Sequence, residues 1–443
     1  MSTSAKPAWM RARRPMVFYI ASASAIAALF VYFSSFSQRF TPTKPHHNPR
    51  PYPSVPVPLS DGQGRTWRFE PIRDARNLHL SDEQCDIAFP KLYTELDRAR
   101  DHFGPASIHQ DQIKIHPDNK PYKHGQLHVL IYNGQMYVIN EKKGASNRAR
   151  GLAGLANLYR AITAVDDPTT IPDVEFILDI EDTPTVGVPE DRVVWSWNRP
   201  KTNLNTWVVP DFDGWAFPKS DLGSYISFRE RLQFIETPFE DKDPRPVWRG
   251  ALNNKVRVAL MNVTNETDWA DVQKLTPDTR MHMAEFCKYQ FPIHTEGNTW
   301  SGRLRYIHNC NSAPVIHQPL QHQAHYYDLL VHEGPDQNYI KVNNDFSDLQ
   351  EKIEYYRAHP SEATRIANNS ANTFRDQYLT PAAEACYWRR LIRRWAEVQA
   401  FKPNAYVDVK QTDGSVWKKQ RGVDWEVFAH PDSKYPVKFE EDG

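Results

Sequence analysis

The sequence predicts an α/β protein of two side-by-side units with a cleft between them. Three observations carry this. From about residue 127, short apolar runs alternate with stretches of helical spacing, the pattern of largely parallel sheets. The 443 residues are too many for one ordinary domain. The alternation also divides near residue 240 into two such units, with no internal repeat.

The elements follow in order. HVLIY and QMYVIN flank Asn133-Gly134, a pair suited to a type I′ turn, and so predict a hairpin. Leu152, Leu155, Tyr159 and Ile162 recur at helical spacing and mark one apolar face. DVEFILDI (173–180) is a short buried strand that runs into Glu181-Asp182-Thr183-Pro184. Residues 222–235 are helical, and VWRG (247–250) is a strand ending in a glycine turn. APVIH (313–317) and YIKV (339–342) are further strands, and helices cover about 347–358, 361–377 and 383–398. Open α/β sheets bind ligands beyond the carboxyl ends of their strands, so the polar residues there are the candidates for chemistry.

The N-terminus predicts a membrane anchor. Residues 1–15 carry Lys6, Arg11, Arg13 and Arg14 and no acid, and Met16 to Phe36 holds no charge. Such a stretch is long enough to cross a hydrocarbon core of about 30 Å as a helix. The cationic flank assigns 1–15 to the cytoplasm and everything after the span to the lumen. The rival, a cleaved signal peptide, has a shorter apolar core. Residues 37–75 are Pro-rich and read as an extended stem. Residues 76–240 and 241–400 then form the two units, and 401–443 is a polar extension with Trp417 and Trp425. The C-terminal FEEDG is not a retrieval tetrapeptide, so anchor and stem would hold the protein in the Golgi or ER membrane.

Composition excludes several classes. With 54 Lys+Arg against 54 Asp+Glu there is no basic excess, hence no nucleic-acid footprint. Cys85, Cys287, Cys310 and Cys386 include no CxxC pair, which removes support for a zinc or thioredoxin site. Four cysteines in a lumenal protein suit two disulfides, with three pairings open. Asn262, Asn265 and Asn368 begin glycosylation triplets, which agree with a lumenal location.

Three constellations could carry chemistry. Gly297-Asn298-Thr299-Trp300-Ser301-Gly302-Arg303 opens a helix running to about Asn309. Free N–H groups at such a start, with an arginine fork, suit a diphosphate. The bland alternative is a solvated helix start. No GxxxxGK[ST] is present, which disfavours a P-loop kinase or a sulfotransferase of that pattern. Second, Arg249 ends a strand before Gly250 and could point into the cleft, or could be an ion-paired structural arginine. Third, Asp179, Glu181 and Asp182 end a strand, where a carboxylate could act as general base or merely cap a turn. Asp211-Phe212-Asp213 has the spacing of a metal-binding acidic triplet, a weak signal in a loop.

The stretch from Cys287-Lys288-Tyr289 through GNTWSGRLRYIHNCNSAPVIH, with the helix around Ala385-Cys386-Tyr387-Trp388, resembles the CAP10-like glycosyltransferases of family 90. These include protein O-glucosyltransferases and fungal capsule xylosyltransferases, and the resemblance spans about residues 80–400. It implies a GT-B fold of two Rossmann-like domains, acceptor side first, and an inverting reaction that needs no metal or other cofactor. The family's catalytic base matches Asp182, and its Phe-Arg-Gly-Ser arginine matches Arg249, followed by Gly250. Its Ser-Phe-Arg arginine, which holds the donor diphosphate, matches Arg303, with Asn298, Thr299, Ser301 and Gly302 beside it. Its disulfides match Cys287–Cys310 and Cys85–Cys386. Ala251, Trp300 and Glu181 depart from the family's Ser, Ala and Arg, which puts donor and acceptor, not reaction class, in doubt.

The function these readings imply is transfer of glucose or xylose from a UDP-sugar to a hydroxyl of a glycan, glycolipid or protein. The rival readings are an inactive lumenal nucleotide-sugar-binding protein and a Golgi sulfotransferase.

Overall fold

The computed structural model describes residues 67–115, 125–142, 148–182, 192–217 and 222–430, all within one compact unit. The anchor at 16–36 and the stem up to residue 66 lie outside the described residues. Among the described residues no helix is long and apolar enough to cross a membrane.

The strands are β1 (Gln126–Tyr132), β2 (Gln135–Lys142), β3 (Val174–Asp179), β4 (Val194–Ser196), β5 (Arg199–Pro200), β6 (Thr206–Val208), β7 (Asp243–Gly250), β8 (Asp271–Lys274), β9 (Tyr289–His294), β10 (Val315–Gln318), β11 (His322–Gln323), β12 (Ile340–Asn343), β13 (Tyr406–Lys410), β14 (Val416–Gln420) and β15 (Val423–Asp424). The helices used below are α1 (Arg148–Thr163), α2 (Lys255–Val263), α3 (Arg303–Ile307) and α4 (Pro381–Val398).

The first sheet has the order β15-β2-β1-β3-β4-β6. It is mixed, which corrects the expectation of largely parallel sheets. Asn133 and Gly134 both take positive φ, 50° and 73°, and pair Tyr132 with Gln135. This two-residue turn reverses the chain before α1 crosses over. The crossover strand β3 therefore runs antiparallel to β1, while β3, β4 and β6 are mutually parallel. β15 adds to the free edge of β2, and Arg421 forks onto the Glu175 carboxylate at 3.1 and 2.9 Å. The polar extension thus joins the first sheet at Val423–Asp424.

The buried face of α1 also differs from the apolar reading. Leu155 and Ile162 are buried, but so are Gly151, Gly154, Asn157 and Leu158, while Leu152 and Tyr159 are only half-buried. The glycines decide this. A Cβ at Gly154 would lie 2.3 Å from the ring of Trp197, itself fully buried. Gly154→Ala should therefore destabilise the protein by about 1–3 kcal/mol, despite alanine's better helix propensity. Denaturant unfolding checks this, and unchanged stability would mean that the indole can move aside.

The second sheet, β12-β10-β9-β7-β8, is wholly parallel. Counted from β7, the order is the doubly wound 2-1-3-4-5, whose switch point lies between β7 and β9. Its core gathers Trp248, Leu260, Phe291, Ile293, Val315, Ile340 and Val342. The chain then returns, and α4 covers the first sheet. Trp395 donates to the Glu175 carbonyl at 3.0 Å, and the Tyr387 hydroxyl to that of Val208 at 2.9 Å. The disulfide Cys85–Cys386 ties α4 to the first helices, and Cys287–Cys310 joins the segment before β9 to the end of α3.

Candidate active site

The loops after β7 and β9 flank the switch point of the second sheet, where an open α/β sheet receives its ligand. The loop after β7 contains Asn254, which caps α2 by accepting from the Arg257 N–H at 2.9 Å. Its amide donates to the carbonyls of Glu296 and Gly297, at 3.0 and 2.5 Å, and so binds this loop to the one after β9. Asn253 bonds Asn298 at 3.1 Å. His317, at the end of β10, accepts from the Glu296 N–H at 3.0 Å. The Glu296 carboxylate in turn accepts from the N–H groups of Gln321 and His322. The segments that follow β7 and β10 thus help to hold residues 294–302 in place.

Two arginines stand in that frame with no carboxylate partner among the described residues. Nε and Nη1 of Arg303 are buried and make no hydrogen bond there, and its guanidinium lies 5.5 Å from the ring of Trp248 and 5.8 Å from that of Phe286. Arg257 sits over the same indole at 5.8 Å, with Nε donating to Thr295 Oγ1 and the Glu296 carbonyl at 3.2 and 3.0 Å. Burial, and after it the charge of Arg257, pushes the Arg303 guanidinium well below its usual range, and burial also lowers Arg257. Arginine does not deprotonate to relieve this, so an enclosed and unpaired guanidinium is a standing cost that an anion would offset. His294 is also buried here with both ring nitrogens unpartnered, and burial holds it neutral.

Arg249 is arranged differently. Its Nη2 pairs with Asp271 Oδ1 at 2.7 Å, Nη1 donates to the carbonyls of Asp271 and Trp248 at 2.7 and 2.9 Å, and Nε donates to that of Thr279 at 3.1 Å. All three guanidinium nitrogens are engaged, and the side chain locks β7 to β8. A Cβ at Gly250 would lie 2.4 Å from the Trp248 ring, so this glycine is needed for packing. Of the other sequence candidates, Asn298 is exposed at the loop tip and Thr299 is buried. Ser301 and Gly302 are half-buried beside Arg303. The helix they open, α3, has only five residues, shorter than the run to Asn309 expected above.

On the first sheet the strand ends diverge in role. Asp179 is fully buried, accepts from the Glu181 N–H and the Gln126 amide, both at 3.1 Å, and is pushed up to about 7 by burial. Glu181 accepts from the Gly125 N–H at 3.1 Å. Asp182 has about half of its side chain exposed, and Arg150 Nη1 donates to its Oδ1 at 2.5 Å. Arg150 lies over the ring of Phe212 at 4.9 Å. Asp211 and Asp213, on either side of Phe212, face α3. Asp211 accepts from Arg305 Nε at 3.0 Å and Asp213 from the Tyr306 hydroxyl at 2.9 Å. Glu384 on α4 pairs with Arg305 Nη1. Their direction toward α3 gives the acidic triplet a packing role between the two sheets. Through these contacts the carboxyl edge of the first sheet, with Asp182, meets the carboxyl edge of the second, with Arg303.

Sequence reading named neither Arg257 nor Arg150. The signal for Arg257 was present: Asn254 after the Gly250 turn is a capping residue, which places position 257 in the first turn of the next helix. Arg150 carried no such signal, because its partner lies 32 residues away.

The three sequons begin at exposed residues, Asn262, Asn265 and Asn368. The hydroxyl of the third, Ser370, is buried against His308 Nδ1 at 2.9 Å.

A doubly wound sheet with two arginines at its switch point that have no acid partner among the described residues, beside a second sheet that ends in a half-exposed carboxylate, defines an α/β protein with cationic and acidic strand ends brought together. The chain belongs to glycosyl transferase family 90, whose description it matches over residues 82–437. It is 26% identical over 354 residues to protein O-glucosyltransferase 2 of Danio rerio, covering 74% of this chain and 65% of that protein. It is 23% identical over 268 residues to protein O-glucosyltransferase 1 of Rattus norvegicus, covering 54% of this chain and 67% of that protein. To O-glucosyltransferase rumi of Drosophila pseudoobscura pseudoobscura it is 23% identical over 264 residues, 53% of this chain and 63% of that protein. The chain thus spans about two thirds of the length of these relatives.

Proposed function

We propose that this protein is an inverting glycosyltransferase of GT-B design that moves glucose or xylose from a UDP-sugar to an acceptor hydroxyl. The observation that carries the reading is Arg303, enclosed at the switch point without an acid partner among the described residues. The diphosphate of a nucleotide-sugar supplies the missing negative charge. Arg257 is the second cation of the site, in the place that the family resemblance suggested for Arg249. The names of the relatives favour glucose, although Ala251, Trp300 and Glu181 leave room for a different donor pocket.

The step is a single in-line displacement. An acceptor hydroxyl oxygen bonds to the anomeric carbon as its proton passes to Asp182, and the bond from that carbon to the phosphate oxygen breaks, releasing UDP. Negative charge grows on the leaving phosphate, where Arg303 and Arg257 stabilise it from fixed positions. Arg150 orients the Asp182 carboxylate. This scheme calls on no metal. The two disulfides support work in an oxidising lumen. With the uncharged stretch at 16–36, they support a type II anchor in the Golgi or ER membrane.

The test is UDP release by the full chain in detergent, with UDP-glucose, UDP-xylose, UDP-galactose and UDP-glucuronate in turn, in EDTA. Release from one donor that depends on Asp182 is the expected result and names the sugar. Absence of UDP binding would overturn the reading. Binding without turnover, even with added glycan and peptide acceptors, would leave an inactive binding protein.

A further inference from the structure

Gly302 stands immediately before Arg303 at the start of α3, and the space beside it is filled. A Cβ at 302 would lie 2.2 Å from Asp213 Oδ2. Asp213 is buried, and its other oxygen accepts from the Tyr306 hydroxyl. Residues 302 and 306 are one helical turn apart on the same face. One carboxyl therefore packs against Gly302 and accepts from Tyr306, at both ends of the turn that begins with Arg303. On the other side of this segment, Phe212 packs under Arg150, and Arg150 holds Asp182.

We propose that Asp213 is a positioning residue of the transfer reaction, filling the place of the side chain that residue 302 lacks and coupling the Arg303 turn to the Arg150–Asp182 pair. It would touch neither sugar nor phosphate. The proposal rests on the transferase reading given above.

The charge around it gives the coupling a pH dependence. Asp211, Asp213 and Glu384 cluster around Arg305. Burial, then the neighbouring Asp211, pushes Asp213 up to about 7, against the pull of Arg305, the Tyr306 hydroxyl and Arg150. The native pKa is above the unfolded one. The fold therefore gains from the proton fully below about 4 and loses that gain as pH rises through about 7.

The experiment compares wild type with Asp213→Asn, Asp213→Ala, Gly302→Ala and the Asp213→Ala/Gly302→Ala double variant, all as full chain. UDP affinity, kcat and KM for the donor, and melting temperature are measured across pH. Asp213→Asn keeps the shape and should bind UDP as wild type does, but lose about tenfold or more in kcat. It should also lack the wild-type change in kcat near pH 7, and its melting temperature should gain more on wild type at about pH 8 than at about pH 5. Asp179, also raised to about 7, is present in both proteins and drops out of the comparison. Gly302→Ala should lose UDP affinity through the clash, and the double variant should regain affinity but not kcat. Wild-type kcat and an unchanged pH profile in Asp213→Asn would overturn the proposal and leave the transferase reading intact. Failure of Asp213→Ala to restore UDP binding to Gly302→Ala would overturn the packing relation itself. A wild type without turnover on any donor would remove the reading beneath it.

Discussion

Arg303→Ala should lower turnover by about 10²-fold or more and abolish the thermal stabilisation that UDP confers on the wild type. The first effect follows from the position of the guanidinium. It stands at the switch point of the parallel sheet; in the proposed reaction the leaving phosphate gains charge beside it, and a preorganised donor removed from such a point costs on the order of 10²–10³ in rate. The second follows from linkage. A ligand at a hundred times its Kd stabilises the native state by about 2.7 kcal/mol, so a variant that no longer binds shows no shift. Without ligand, Arg303→Ala should be at least as stable as wild type, because it removes a buried charge that has no acid partner among the described residues. Arg303→Lys should recover only part of the activity, since one ammonium cannot reproduce the two-pronged contact. Full activity in Arg303→Lys, or a UDP shift retained in Arg303→Ala, would take Arg303 out of the donor site. Arg249→Ala offers the contrast: with all its nitrogens tied to Asp271 and backbone carbonyls, its loss should show first as instability.

Asp182→Asn should fold, bind UDP with wild-type affinity and transfer sugar about 10²–10⁴-fold more slowly. The amide keeps the size of the carboxylate but cannot accept the acceptor's proton, and positioned general bases contribute on that scale. Its accessibility supports the role: Asp179 and Glu181 of the same strand end are occupied with backbone and side-chain donors, whereas the Asp182 side chain is about half exposed. Arg150→Ala should leave the carboxylate in place but unoriented, giving a smaller loss in kcat. Single-turnover kinetics with a good acceptor check both variants. Normal transfer by Asp182→Asn would assign the proton to another group.

The sequence by itself determined what is local. The Asn133-Gly134 turn, the strands at 173–180, 247–250 and 313–317, and the late helices follow from short-range propensity and period. Gly302 and Arg303 stood out because a glycine-rich entry to a helix is legible within a few residues. The antiparallel start of the first sheet was hidden in plain view: a two-residue hairpin was expected at 133–134, yet its consequence for β3 depends on which strand β3 joins. The roles of the arginines were beyond reach for a related reason. Arg249, Arg257 and Arg303 are alike as letters. What separates them is whether a carboxylate such as Asp271 arrives beside them from another strand. Charge pairing in a folded chain is decided by residues distant in sequence, and burial then multiplies its effect. Only the tertiary structure could therefore show that Arg249 pairs with a carboxylate, that Arg303 and Arg257 have none among the described residues, and that Asp213 stands where Gly302 has no side chain.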